Sequence, residues 1–163
     1  MAQDLLVKVC SSRGEQIHLV LDKYQFPSIK DCEQKFRGGD VRRVFVITGP
    51  DQAQRQSGTE QLKNGAFKEE FARFLMQEWR NPQYGSIIGN KTVYFSHGGK
   101  CMAMKNDENF LLQVDEPDLL QVHHKDDDKL IAFHTSNITS GNIVVRSSDT
   151  DVIIMIARYD IQL

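Results

Sequence analysis

Strand-like runs alternating with helix-like ones predict an α/β domain with a mostly parallel sheet flanked by helices. Three observations carry that expectation. β-Branched and aliphatic runs at residues 17–21, 44–48 and 143–146 read as strands. Phe67, Phe71, Phe74, Leu75 and Trp79 recur at helical spacing. The chain has 163 residues, 40% of them hydrophobic and 26% charged, which suits one globular domain with a real core. Residues 1–163 show no internal repeat and no second domain boundary.

The elements follow in order. Residues 5–10 form a short apolar stretch, a strand or a helix end, before a turn at Ser11-Ser12-Arg13-Gly14. Residues 17–21 are expected as a strand. Phe26-Pro27-Ser28 opens a helix in which Ser28 caps the amino end and Asp31, three residues on, completes a short capping box. That helix carries Lys30, Lys35 and Arg37 and stops at Gly38-Gly39. The strand at 44–48 ends at Gly49-Pro50, and the glutamine-rich stretch 51–65 lacks apolar periodicity and reads as a loop.

The aromatic stripe makes 66–80 an amphipathic helix, ended by Asn81-Pro82. A strand at 91–96 and a segment at 100–104 flank His97-Gly98-Gly99 and could pair as a hairpin. After the short apolar run 119–122, residues 126–135 read as a helix. Gly141-Asn142 turns the chain into the strand at 143–146. Residues 152–158 fit a helix or a buried strand equally.

Composition excludes several classes. The net charge of −2 gives no global basic signature, although Lys30 to Arg43 is locally basic. Cys10, Cys32 and Cys101 are odd in number and form no C-x-x-C pair, so neither a disulfide framework nor a thiolate zinc site is expected. No signal peptide is visible, and the longest apolar run, 152–157, is far short of a membrane span. The expectation is an intracellular protein, nuclear or cytoplasmic, with no membrane partner. There is no phosphate-binding G-x-x-x-x-G-K-[S/T] loop and no G-x-G-x-x-G turn, which argues against a nucleotide-binding protein.

The chemistry-bearing residues are acids at element boundaries. Asp22 closes the 17–21 strand, Lys125-Asp126-Asp127-Asp128-Lys129 precedes a helix, and Asp149-Thr150-Asp151 follows the 143–146 strand. Carboxylate oxygens gathered at strand ends suit a hard cation such as Mg2+. Each acid also has a plain reading. Asp126 to Asp128 suit the positive end of a helix dipole, Asp149 and Asp151 could cap a helix starting at Val152, and Asp22 could be an ordinary strand-end acid. His123 and His124 are adjacent and do not face one another on a helix, which leaves a zinc pair weak. His18 and His134 lie on apolar elements and read as satisfied core histidines. The aromatic stripe reads as core packing rather than a base-stacking platform.

The run from Ile17 through Asp22 to Lys30 resembles the strand-acid-helix unit of flap-endonuclease-like (PIN-like) nucleases, whose helix presents a Lys and, seven residues on, an Arg. Lys30 and Arg37 have that spacing. Asp126 and Asp128 look like the family's acidic pair, and Arg146-Ser147-Ser148-Asp149-Thr150-Asp151 resembles the motif of its uncharacterised, often mobile-element-associated members. The resemblance implies a PIN-like fold and a Mg2+- or Mn2+-dependent nuclease. Asp22, Asp126, Asp128, Asp149 and Asp151 would ligate the metal, Lys30 and Arg37 would serve catalysis, and Arg42 and Arg43 would bind DNA or RNA. It also implies that the chain lacks the family's amino-terminal strand and carboxy-terminal helices, and that Lys125 stands where the nearest relatives carry Glu. The alternative is a catalytically inactive PIN-like binding or scaffold module, or a fragment of a mobile-element protein.

Overall fold

The computed structural model describes residues 2–21, 46–49, 64–107, 110–115, 127–138 and 143–146. The first element is a helix, α1 (Ala2–Cys10), which resolves the strand-or-helix ambiguity of the first apolar stretch. Ala2, Leu6 and Cys10 recur every four residues and are all buried, so the spacing places one apolar stripe against the core. The turn after it is held by Lys91, whose Nζ donates to the carbonyls of Ser12 and Gly14, each at 2.8 Å.

β1 (Gln16–Val20) follows as expected. α2 (Gly65–Glu78) is the aromatic-striped helix; the Asn64 side chain accepts from Phe67 N at 3.1 Å and caps it. A 3-10 turn (Pro82–Tyr84) comes next, with Asn81 Oδ1 accepting from Gln83 N and Pro82 at the first helical position, where its missing N–H costs nothing. The one-turn helix α3 (Gly85–Ile88) leads into β2 (Thr92–His97), β3 (Lys100–Asp107) and β4 (Phe110–Asp115). The last described helix is α4 (Asp127–Ser136).

The sheet order is β1-β2-β3-β4. Only β1 and β2 are parallel; β2–β3 and β3–β4 are antiparallel. The α/β class is therefore observed, but the expected mostly parallel sheet is a mixed one. The reason lies in the connections. A parallel pair needs a long crossover, and β1 reaches β2 through α2 and α3. His97 and Lys100, by contrast, are joined only by Gly98-Gly99. Both glycines have positive φ, 59° and 78°, as a two-residue hairpin turn of the right twist requires.

Two more expectations change. Residues 143–146 do not form a strand, and Val144 is 78% exposed. The described part of the 44–48 run, residues 46–49, is not a strand either. β-Branched composition favours extension, but strand propensity is context-dependent and the surrounding fold overrides it. The expected helix after Phe26 and the 119–122 and 152–158 segments lie outside the described residues.

The sheet has two unlike faces. Ile17–Val93–Met104 and Leu19–Phe95–Met102 are cross-strand rows on one face. They pack with Leu6, Leu75, Met76, Trp79, Tyr84 and Ile88 into the main core, covered by α1, α2 and α3. Trp79 is fully buried, lies 5.3 Å from the Phe95 ring and donates from Nε1 to the carbonyl of Ala2 at 3.1 Å. This bears out the packing role of the aromatic stripe. The alternate rows, His18–Tyr94–Ala103 and Val20–Ser96–Cys101, point to the other face, where α4 packs on β1.

Candidate functional site

Because β1 and β2 run parallel, their carboxyl ends lie at one edge of the sheet. Open α/β sheets place ligands at such an edge. Leu21 N still donates to Ser96 O there, at 3.0 Å, so the ladder continues one residue past β1. Two polar clusters flank this edge on opposite faces.

On the α4 face a continuous chain of polar atoms crosses three elements. Ser96 Oγ lies 3.0 Å from His134 Nε2, and His134 Nδ1 lies 2.7 Å from His18 Nδ1. The His18 ring stacks on Tyr94 with centroids 4.4 Å apart and planes 15° apart, and it meets the His134 ring edge-on. Ser96 and His134 are buried, at 0% and 2% exposure. Burial pushes the His18 and His134 pKa values down, His134 to about 4 with the neighbouring His18 adding to the effect. Both rings are therefore neutral at pH 7.

Two facing Nδ1 atoms can bond only if one of them carries the proton. Two arrangements satisfy this. In one, Ser96 donates to His134 Nε2 and His134 Nδ1–H donates to His18. In the other, the proton order is reversed and His134 Nε2–H donates to Ser96. In either, buried His18 Nε2 has no partner among the described residues. The expectation of satisfied core histidines holds for His134 and only half for His18.

On the opposite face His97 Nε2 lies 3.1 Å from Glu69 Oε1 of α2, and buried His97 Nδ1 has no partner among the described residues. Ser96, His97 and Glu69 were not singled out by sequence reasoning. The available signal was the alternation of β1, in which His18 falls between Ile17 and Leu19 and so must face away from the core. A polar residue at that phase announces a second covered face. Cys101, cross-strand from Ser96, and Cys10 are buried thiols, and burial raises the Cys10 pKa despite nearby Lys91.

The residues expected to carry chemistry are placed as follows. Asp128 belongs to the first turn of α4. Asp22, Lys30, Arg37, Arg42, Arg43, Asp126, Asp149 and Asp151 lie outside the described residues. Among the described residues no three His, Cys, Asp or Glu side chains gather as a metal-binding group, and no helix is long and apolar enough to cross a membrane. No protein family, curated protein or solved structure matches this chain.

Proposed function

We propose that this chain is a PIN-like nuclease domain that hydrolyses DNA or RNA phosphodiesters with Mg2+ or Mn2+. The observation that supports it is the parallel pairing of β1 with β2. Asp22 is bonded to Leu21, the residue that leaves β1 at the carboxyl edge, where a sheet of this kind builds its ligand site. α4, which starts at Asp127 inside the acidic run, packs on that same strand.

In this reading Asp22, Asp126, Asp128, Asp149 and Asp151 supply carboxylate oxygens, the donor set that hard divalent cations take. Bound cations would supply an activated water and stabilise the leaving oxygen. Lys30 and Arg37 hold fixed positive charge toward the scissile phosphate, which lowers the cost of the charge that develops there. Arg42 and Arg43 bind the phosphates flanking it.

A second reading, a catalytically silent binding or scaffold module, is favoured by one observation. Residues 143–146, which lead to Asp149 and Asp151, are not a strand, and 144–146 are exposed. Thermal melting with added Mg2+ or Mn2+, run beside cleavage assays on labelled DNA and RNA oligonucleotides, separates the two. The nuclease reading expects the cations to raise the Tm of the wild type but not of an Asp149→Asn/Asp151→Asn variant, and only the wild type to cut. An unmoved Tm and intact oligonucleotides would leave the binding module, to be pursued by fluorescence anisotropy with the same nucleic acids.

A further inference from the structure

The two faces of the sheet hold their helices by different means, and the difference has a chemical trigger in it. None of the twelve buried residues of the main core comes from α4. Ala132, His134 and Thr135 are the buried residues of α4 among those described, and Thr135 spends its hydroxyl within the helix on the carbonyl of Ile131. His134 bonds from α4 to both β1 and β2.

We propose that acid releases α4 from the sheet through the His18–His134 pair: one charged imidazole still donates across the 2.7 Å contact but buries its charge, two charged imidazoles set N–H against N–H, and the helix undocks while the core on the opposite face stays formed. The groups facing the pair offer no remedy. β2 contributes the Tyr94 ring and the Ser96 hydroxyl, and β3 places Cys101 opposite Ser96. Among the described residues no carboxylate faces either ring, so nothing there compensates an imidazolium. The Glu69–His97 pair belongs to the other face.

The sign follows from linkage. Burial depresses both histidines, so the docked state resists protonation, whereas an undocked histidine titrates near 6.5. Docking is complete above that value and weakens as pH falls toward about 4, where buried His134 itself takes a proton. Within the window the undocked-to-docked ratio rises by up to about tenfold per pH unit for one proton, and about a hundredfold for two. The proposal stands apart from the nuclease reading and survives its failure.

Amide hydrogen exchange on the wild-type chain from pH 7.5 to 4.5, corrected for the intrinsic pH dependence of exchange, tests it without any variant. The expected result is that protection across α4 falls by more than about tenfold between pH 6.5 and 5 while α2 and β3 keep theirs. Unchanged α4 protection would overturn the proposal, and so would parallel loss in α2 and α4. A His18→Gln/His134→Gln variant, which cannot titrate at the pair, should lose the pH slope whatever its starting protection. A variant that kept the wild-type slope would equally sink the idea.

Discussion

The two faces of this sheet are built from the same strands, one residue out of phase, and they obey different physics. On the α1–α2–α3 face the inward residues are Ile17, Leu19, Val93, Phe95, Met102 and Met104, and the helices add Leu6, Leu75, Trp79 and Ile88. On the α4 face the same strands present His18, Tyr94 and Ser96 to a helix that answers with His134. The first face is held chiefly by removal of apolar area from water, which is non-directional, and the His97–Glu69 contact sits at its edge. The second is held by hydrogen bonds between buried imidazoles that are neutral at pH 7 and that acid charges. A single-residue phase shift thus separates a face that only large volume changes disturb from one that a proton can disturb.

The largest expected effect lies on the apolar face. Trp79→Ala removes a fully buried ring that touches Phe95 and ties α2 to the Ala2 carbonyl, and should cost about 3–5 kcal/mol in urea denaturation. The loss should be the same at pH 7.5 and pH 5.5, because no titrating group is touched. A strongly pH-dependent penalty would mean that the two faces are coupled through the sheet.

On the polar face the matching change is Ser96→Ala. It leaves His134 Nε2 buried without its partner, and an orphaned buried polar atom costs about 1–3 kcal/mol. Since this contact favours α4 docking at neutral pH, the variant should show lowered exchange protection in α4 and little change in α2. Equal loss in both helices would erase the distinction between the faces. The hairpin turn sits between these cases, because it serves both faces at once. Gly98→Ala forces a Cβ into φ 59° and should cost about 1–2 kcal/mol, lowering α2 and α4 protection together.

How far the sequence could be read follows the same division. Local signals were legible: the apolar spacing of α2, the alternation of β1, and the Gly-Gly turn that makes a hairpin of β2 and β3. The ends of α2, β1, β2 and α4 came within about two residues, the usual slack of such boundaries, while β3 runs three residues past the expected 104. Away from that hairpin the direction of strand pairing was not legible, since nothing local says whether β1 and β2 run up or down together. Strand β4 was missed for a related reason: Phe110-Leu111-Leu112-Gln113-Val114 lacks strict alternation and becomes a strand through its pairing with β3. Residues 143–146 are the converse, rich in β-branched side chains and yet not a strand. For the site, Asp128 is the only one of the nine expected residues that falls within the described chain. The Ser96–His134–His18 chain joins residues up to 116 positions apart, which no motif of local spacing could reveal.

The smallest effect is expected where neither face is involved. Arg73 pairs with Glu70 three residues earlier on the outer surface of α2, and its side chain is 73% exposed. An exposed pair of this spacing gains little, because solvent screens the attraction and two long side chains must be held still. Arg73→Ala should therefore shift stability by no more than about 0.5 kcal/mol and leave α4 protection unchanged at every pH. Its value lies in the contrast with His134, since both remove one polar side chain from a helix. If the exposed change moved α4 as much as the buried one, burial would not be what makes the polar face sensitive, and the separation of the two faces would rest on something other than access to water.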